Sequence, residues 1–359
     1  MNKKIIFSGG GTGGHTLPAI NLMKHFFDKG YKVILVTDKR GNSFLKSYPG
    51  FYCYIIKVDT PTNKNLFKKF FSYFLIFYSI IKAALILKKE KPDLVFGFGG
   101  YVSFPISFAS RFFHSPLIIY ENNMFLGRAN KYLSSFSKKI FLAKKITKNI
   151  PEKYINKTFE VGPILNKNIL SYSNPKKNYD NGGFSILVLG GSQGAEIFGK
   201  VIPKVIKMIK DKGHDIEIIQ QCTMDQKKSL IDFYKINNIK NYVFEFDKNI
   251  LKFISSSNIA ISRCGASTTA ELAYTFTPFI AVPLPNSIDN HQYLNAKYYE
   301  KEGCCWLLEQ KNFNTENLFN LIIEKIKNKN KLENISKNMQ KNYNKNVYIN
   351  IENQIKDFF

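Results

Sequence analysis

Short hydrophobic runs alternate with helically spaced apolar positions along this chain. The opening pattern predicts a strand at 3–7, a glycine-rich loop at 8–15, a helix at 17–30 and a second strand at 31–37. The same order returns later, with a strand at 184–189, a loop at 190–194, a helix at 195–212 and a strand at 216–220. Two separate units of this kind predict an α/β protein with two Rossmann-like domains.

Other predicted strands end in polar or glycine-rich loops, at 93–101 and 116–123 in the first half and at 258–265 and 279–284 in the second. The carboxyl ends of strands line the ligand crevice of an open parallel sheet. The domain prediction is an N-terminal domain at 1–162, a linker at 163–183, a C-terminal domain at 184–340, and a helix at 341–359 that returns to the N-terminal domain.

The segment 66–87 is the most hydrophobic of the chain. Its apolar residues at helical spacing form one stripe: Phe67, Phe70, Phe74, Phe77, Ile81 and Leu85. Three interpretations are open: a helix buried in the core, a core helix with an exposed face that docks on a membrane, and a transmembrane helix, which Lys82 disfavours. Lys68 and Lys69 suit a docking face because they can meet anionic headgroups.

The composition limits the classes of protein to which this chain can belong. The 359 residues carry a formal charge of +25 and 44% hydrophobic residues, which suits a soluble or peripheral globular protein. Four of the 52 cationic residues are arginine, and no nucleic-acid-binding module is recognisable, so we expect no nucleic-acid partner. The five cysteines show no metal spacing, so we expect reduced thiols and no metal site.

A glycine-rich turn between a strand and a helix offers backbone N–H groups to an anion. Gly9, Gly11 and Gly14 satisfy G-x-G-x-x-G, and Asp38 follows the next strand, as in nicotinamide enzymes. The second loop, at 190–194, lacks the dinucleotide spacing. Two phosphate-type loops in separate domains favour an enzyme that joins two phosphate-bearing substrates, so a glycosyltransferase is preferred over an oxidoreductase.

Six motifs together resemble the bacterial MurG family of glycosyltransferases. They stand in order at 9–15, 97–101, 121–123, 190–194, 262–271 and 289–296. The resemblance implies a GT-B fold, with two Rossmann-like domains facing each other across a cleft. It also implies inverting, metal-independent transfer of GlcNAc from UDP-GlcNAc to the MurNAc 4-hydroxyl of undecaprenyl-diphosphoryl-MurNAc-pentapeptide (lipid I). The product, lipid II, serves peptidoglycan synthesis, and with it cell shape and division.

The resemblance also implies the site residues. His15 and Glu121 are rival catalytic bases. The acceptor-binding residues are Gly11, Gly14, His15, Gly100, Tyr101, Asn123 and Asn130. The donor-binding residues are Thr12, Gly13, Gly14, Asn123, Gly191, Ser192, Gln193, Arg263, Ala266, Ser267, Glu271, Gln292 and Asn295. Among the latter, Glu271 is expected to accept both ribose hydroxyls, and Gln292 and Asn295 are expected to read the GlcNAc hydroxyls.

The chain departs from the family pattern at several positions. Asn166 stands where the family has an arginine that contacts the diphosphate, and Lys167 beside it is a weaker substitute. His291 replaces a glutamine of some members, and Asp247 lies where an apolar contact to uracil is common. These departures weaken the detailed prediction of which residues bind UDP-GlcNAc.

No cofactor is expected. The expected partners are UDP-GlcNAc, lipid I, the cytoplasmic face of an anionic membrane and other cell-wall synthesis proteins, with the protein peripheral on that face. The alternatives are another UDP-sugar-dependent glycolipid transferase of the same fold, an NAD-dependent oxidoreductase, and an inactive membrane-bound scaffold.

Overall fold

The computed structural model of the chain describes residues 3–45, 50–59, 65–172, 183–191, 195–247, 249–343 and 345–359. They form two compact units. The first combines Met1–Asn166 with Asn344–Phe359, and the second is Lys167–Tyr343.

The N-terminal unit is built on a fully parallel seven-stranded sheet. Its strands are β1 (Lys4–Ser8), β2 (Lys32–Thr37), β3 (Tyr52–Ile55), β4 (Leu94–Gly97), β5 (Leu117–Glu121), β6 (Lys139–Leu142) and β7 (Thr158–Glu160). Its helices up to Leu133 are α1 (Gly13–Asp28), α2 (Lys39–Leu45), α3 (Leu66–Glu90), α4 (Gly100–Ala109) and α5 (Arg128–Leu133). The strand order is β3-β2-β1-β4-β5-β6-β7, so the direction of winding reverses between β1 and β4.

The first helix begins earlier than the sequence pattern predicts. The apolar spacing starts at Leu17, whereas α1 begins at Gly13 with Thr12 as its N-cap residue. The amide of Thr16 bonds to the carbonyl of Thr12 and closes the first turn. The predicted loop at 8–15 is therefore shorter, and His15 lies in the first turn of the helix. Apolar periodicity cannot detect a turn built from glycine and histidine.

The C-terminal unit repeats the architecture with six parallel strands. They are β8 (Phe184–Leu189), β9 (Ile216–Gln221), β10 (Lys240–Phe244), β11 (Ile259–Ser262), β12 (Phe279–Ala281) and β13 (Cys305–Leu307), in the order β10-β9-β8-β11-β12-β13. Its helices are α6 (Lys167–Leu170), α7 (Glu196–Asp211), α8 (Met224–Ile236), α9 (Ile250–Ser256), α10 (Ala266–Tyr274), α11 (His291–Lys301), α12 (Thr315–Lys327) and α13 (Lys329–Asn342). Helix α6 falls within the predicted linker 163–183, of which 173–182 lies outside the described residues.

The last helix, α14 (Val347–Ile355), belongs to the N-terminal unit. The Tyr348 hydroxyl donates to the Leu165 carbonyl at 2.7 Å, and its ring stacks on His25 with centroids 4.5 Å apart. Glu352 accepts from His25 Nε2 at 2.5 Å and pairs with Lys29 at 2.9 Å. Apolar packing and this charged cluster thus hold the C-terminal helix on α1.

Helix α3 exposes the apolar stripe that its sequence contains. The stripe residues Phe67, Phe70, Phe74, Phe77, Ile81 and Leu85 are 84, 75, 59, 62, 45 and 61% exposed. The face turned to the protein buries the small residues Ser72, Ser79 and Ala83 and, near the end of the helix, Ile86 and Leu87. The Ser79 hydroxyl bonds to the Lys57 carbonyl at 2.7 Å. The interpretation of α3 as a wholly buried core helix is therefore wrong.

Candidate active site

The N-terminal site lies at the switch point between β1 and β4, where the loops after both strands meet. Gly11, at φ +77°, donates its N–H to Asp38 Oδ1 at 3.1 Å. The same oxygen accepts the Gly41 N–H at 2.8 Å, and Asp38 Oδ2 lies 3.5 Å from the Tyr101 hydroxyl. Asp38 therefore braces the glycine loop, whereas the oxidoreductase alternative requires its carboxylate to bind a ribose.

Tyr101 covers this loop from α4. A Cβ on Gly11 would lie 2.9 Å from the Tyr101 ring, so the loop admits only glycine there. Burial, and next the Asp38 carboxylate, raise the pKa of Tyr101, so its phenol stays protonated. The structure thus brings Gly11 and Tyr101 together, as their shared assignment to the acceptor requires.

His15 projects from the first turn of α1 towards the loop after β4. Its Nδ1 lies 2.9 Å from the Phe98 carbonyl oxygen. Because a carbonyl can only accept, Nδ1 carries the proton and the lone pair of the neutral ring is on Nε2. A Cβ on Gly100, at φ +72°, would lie 3.0 Å from His15 Cδ2 and 3.3 Å from Nε2. Glycine at position 100 therefore makes room for this orientation of the imidazole.

The second base candidate, Glu121, is 2% exposed at the end of β5. Its Oε1 accepts the backbone and side-chain N–H groups of Asn123, both at 3.0 Å. Its Oε2 accepts the Gly127 N–H and Asn130 Nδ2, also at 3.0 Å. Four N–H donors thus occupy both oxygens of the carboxylate and fix its orientation, which suits an anchor for these residues. This engagement favours His15 over Glu121 as the candidate base.

The two asparagines that were predicted to bind the acceptor are both held by Glu121. Asn123 is half-buried in the loop after β5. Asn130, on α5, is fully buried, and its Nδ2 also donates to the Tyr120 carbonyl at 3.0 Å. Asn130 Oδ1 has no hydrogen-bond partner within the described chain. An orphaned buried acceptor is costly unless another group supplies a donor.

The C-terminal site lies at the corresponding switch point, between β8 and β11. Gly191 follows β8 at φ +80°, and α7 starts a few residues later. Ser192 and Gln193, the predicted phosphate and sugar contacts, lie outside the described residues. Ala266 and Ser267 form the first turn of α10, with Gly265 as its N-cap residue.

Arg263 is only 8% exposed, in the loop after β11. Its Nη1 donates to the carbonyls of Val282 and Pro283 at 3.3 and 3.2 Å, and its Nη2 donates to Gln310 Oε1 at 2.6 Å. Burial lowers the pKa of Arg263, yet an arginine stays charged in proteins. These internal bonds hold the guanidinium away from solvent, so its predicted direct contact with the diphosphate lacks an exposed donor.

Gln292 and Asn295 hold the loop after β11 from α11. Gln292 Oε1 accepts the N–H groups of Cys264 at 3.1 Å and Leu284 at 3.0 Å, which ties the loops after β11 and β12 together. Asn295 Nδ2 donates to the Cys264 carbonyl at 3.0 Å. Asn295 is fully buried, so the structure gives it a scaffolding role where the sequence predicted contact with the sugar.

Glu271, on α10, is the acidic residue of this site. Burial raises the pKa of its carboxyl to about 7. Among the described residues no hydrogen bond or ion pair satisfies this carboxyl, although part of the side chain reaches solvent. A desolvated carboxyl without a partner suits a ligand that brings hydroxyl donors.

The positions that depart from the family pattern have internal partners. Asp247 accepts the Tyr242 hydroxyl at 2.8 Å and the Asn249 N–H at 2.7 Å. His291 Nδ1 lies 2.6 Å from the Ile288 carbonyl.

Within the described ranges no group of three or more His, Cys, Asp or Glu residues could hold a metal ion.

The sequence analysis did not identify three groups that hold candidate site residues in place: the Phe98 carbonyl, Gly127 and Gln310. A backbone carbonyl has no sequence signature, and Gln310 stands outside every motif. The left-handed glycines at 99 and 100 were the available signal for a backbone that closely approaches another group.

Comparison with known proteins identifies the family of the chain. Residues 5–142 match the glycosyltransferase family 28 N-terminal domain and residues 185–350 match the C-terminal domain of that family. The UDP-N-acetylglucosamine–N-acetylmuramyl-(pentapeptide) pyrophosphoryl-undecaprenol N-acetylglucosamine transferase of Rickettsia bellii is 37% identical, over 92% of this chain and 93% of its own. The transferase of the same name from Pelagibacter ubique is 36% identical, over 92% and 91%.

A solved structure extends the similarity to the whole fold. The crystal structure of Acinetobacter baumannii MurG superposes with a TM-score of 0.78 at 26% identity, covering 99% of each chain. The prediction of a GT-B protein with two parallel-sheet α/β domains is confirmed. With both domain models matched in order and close relatives along nearly its full length, the chain belongs to glycosyltransferase family 28, among the MurG transferases.

Proposed function

We propose that this protein transfers GlcNAc from UDP-GlcNAc to the MurNAc 4-hydroxyl of lipid I, with inversion, to form lipid II. Its relatives bear the name of that transferase. The observation that carries the chemistry is the hydrogen bond from His15 Nδ1 to the Phe98 carbonyl, which leaves the basic nitrogen on Nε2. A base in this tautomer can take a proton from a hydroxyl without further rearrangement.

The proposed step is a direct displacement. His15 Nε2 takes the proton from the MurNAc 4-hydroxyl. At the same time the oxygen of that hydroxyl forms a bond to the anomeric carbon of GlcNAc. The bond from that carbon to the diphosphate oxygen breaks, and UDP leaves with the electron pair. A positioned base contributes about 10²–10⁴-fold to the rate. Glu121 takes no proton in this scheme and instead fixes Asn123 and Asn130 beside the acceptor.

The donor is assigned to the C-terminal domain. The glycine loop after β8 and the first turn of α7 offer N–H groups to the diphosphate, as helix N-termini do for anions. Glu271, whose carboxyl lacks a partner in the described chain, accepts the two ribose hydroxyls. Gln292, by tying two loops together, shapes the floor on which the sugar rests.

The lipid-linked acceptor implies a membrane surface, and α3 is the docking element in this proposal. An 18-residue window within Phe70–Glu90 has a mean hydropathy of 2.0, and the helix is long enough to cross a bilayer, but this is weak evidence on its own. The exposed aromatic stripe and the charge of +25 favour a peripheral position on an anionic cytoplasmic face. The side chains of Lys68 and Lys69 lie outside the described set.

The test of transfer is release of UDP from UDP-GlcNAc in the presence and absence of lipid I, with mass spectrometry of the lipid product. We expect UDP release that depends on lipid I, and a product heavier by one GlcNAc. Release without lipid I, or transfer to a different glycolipid only, would contradict the proposed acceptor. UDP-GalNAc and UDP-glucose serve as control donors.

Docking is tested by sedimentation with vesicles of anionic phospholipid at low salt. Phe70→Ser with Phe74→Ser removes two exposed rings of the stripe and should abolish sedimentation. Phe112→Ser, which removes an exposed ring from outside α3, is the matched control. Equal sedimentation of both variants would overturn the assignment of docking to α3.

A further inference from the structure

The loop after β6, residues 143–150, is built against the loop after β5, residues 122–127, which carries Asn123. The backbone N–H of Lys148 donates to the Met124 carbonyl at 3.0 Å. The Lys148 carbonyl accepts an N–H from the loop after β5 at 2.9 Å. Backbone pairing therefore fixes the loop after β6 beside a residue that is assigned to the acceptor.

Side chains strengthen this attachment. The Thr147 hydroxyl lies 3.3 Å from the Asn123 carbonyl. Asn149 Nδ2 donates to the Leu126 carbonyl at 3.0 Å, and Asn149 Oδ1 accepts from Lys131 Nζ, on α5, at 2.7 Å. The loop after β6 is thus tied to both the loop after β5 and α5, so its exposed side chains project from a fixed position.

This part of the N-terminal domain is strongly basic. The segments 122–133 and 143–150 contain no acidic residue and five cationic ones, Arg128, Lys131, Lys144, Lys145 and Lys148. Glu160, on β7, lies 4.0 Å from Lys144 Nζ. Lys145 and Lys148 are exposed, and neither forms an ion pair within the described part of the chain. Their charges therefore face the solvent beside the candidate site and can attract an anion.

The strand order places this basic loop in line with the rest of the site. β1, β4, β5 and β6 are successive neighbours in the sheet. Because adjacent strands lie about 4.8 Å apart, the loop after β6 is about 10 Å from the loop after β4, which holds His15, and about 14 Å from the glycine loop after β1. A ligand that extends along this edge of the sheet meets the three loops in that order.

The proposed acceptor has its parts in the same order: a prenyl diphosphate, a muramyl sugar and a pentapeptide. The peptide is joined by its N-terminus to the lactyl group of the sugar, next to the 4-hydroxyl, so its C-terminal carboxylate is free. An extended pentapeptide spans about 17 Å, which is enough to reach the loop after β6 from a sugar at His15.

We propose that Lys145 and Lys148 bind a carboxylate of the acceptor's peptide and so favour peptide-bearing acceptors. This rests on the proposed function, because it requires the muramyl sugar at His15. The two ammonium groups supply charge, and the bonds that hold the loop supply position. The chemistry of transfer stays with His15, so the lysines act on acceptor affinity and not on the rate of the chemical step.

The test compares lipid I with lipid I whose peptide carboxylates have been converted to amides, both dispersed in detergent without vesicles. For the unsubstituted protein, the KM of the amidated acceptor should be about fivefold higher, as expected for two exposed ion pairs. Lys145→Gln with Lys148→Gln should raise the KM of lipid I by the same factor, leave kcat unchanged and leave the amidated acceptor unaffected. Lys145→Glu with Lys148→Glu should raise the KM of lipid I further, by repulsion.

The matched control is Lys32→Gln with Lys91→Gln. It removes the same charge from two exposed lysines at the opposite edge of the same sheet, before β2 and β4. This control should change neither KM, which separates a local contact from the effect of net charge.

Equal KM values of the unsubstituted protein for the two acceptors would overturn the proposal. An equal rise for both acceptors in the Lys145→Gln, Lys148→Gln protein would also overturn it, because the lysines would then act on another part of the acceptor. So would a variant that loses sedimentation with anionic vesicles but keeps its KM in detergent, since the lysines would then meet headgroups. Failure of the unsubstituted protein to transfer GlcNAc to either acceptor would instead contradict the proposed function.

Discussion

Replacing Glu121 by glutamine should separate its anchoring role from that of a base. The carboxylate accepts four N–H groups at 3.0 Å, two on each oxygen. In Glu121→Gln one oxygen becomes an NH2 group, which turns two of those bonds into contacts between donors. Hydrogen bonds to a charged group contribute about 1.5–3 kcal/mol each, so the loss is about 3–6 kcal/mol.

The consequence for stability is large for a domain of this size. At about 2–4 °C for each kcal/mol, the unfolding midpoint should fall by on the order of 10 °C. Differential scanning calorimetry of the intact chain measures this change. Glu90→Gln is the control: the Glu90 carboxylate is half-buried and bonds to Lys4 and Tyr54, at the far end of the sheet from the site.

Activity distinguishes the two roles. If Glu121 positions Asn123 and Asn130 and His15 is the base, the kcat of Glu121→Gln should fall while the acidic limb of the pH profile remains. His15→Gln should remove that limb and lower kcat about 10²–10⁴-fold. A Glu121→Gln protein with unchanged stability and no acidic limb would refute the anchoring argument and make Glu121 the base.

Three further predictions concern both domains. Gly100→Ala should lower kcat at least tenfold without altering UDP affinity, because its Cβ would lie 3.0 Å from the His15 ring at a φ of +72°; unchanged lipid II synthesis would contradict this. Burial gives the Glu271 carboxyl a pKa of about 7 in the folded chain, above its ordinary 4.5, so the free energy of unfolding should fall as the pH rises from 4.5 to 7. Thermal melts across this range should show the fall. Glu271→Gln should remove this pH dependence and weaken the binding of UDP-GlcNAc. Gln292→Ala should loosen the loops after β11 and β12 and raise the KM for UDP-GlcNAc, whereas Gln292→Glu, which can still accept both N–H groups, should preserve the melting temperature.

The alternation of strands, glycine loops and helices was sufficient to predict two parallel α/β domains, because burial on both sheet faces makes each strand a hydrophobic run. The six motifs were sufficient to predict the family, since their order along the chain is specific. The helical stripe of α3 was also visible, but periodicity cannot tell whether an apolar face meets the protein or the solvent. Only packing decided this, by turning Ser72, Ser79 and Ala83 inward.

The roles of individual polar side chains depended on the tertiary structure. Gln292 meets Cys264, and Arg263 meets Gln310, because strand order brings the loops at one edge of the sheet together. Glu121 meets Gly127 and Asn130 through the path of the chain directly after β5. In each case the same residue types serve equally well as ligand contacts or internal partners. The sequence by itself predicted which loops border the candidate site, whereas the fold determined which side chains there are already engaged with the protein.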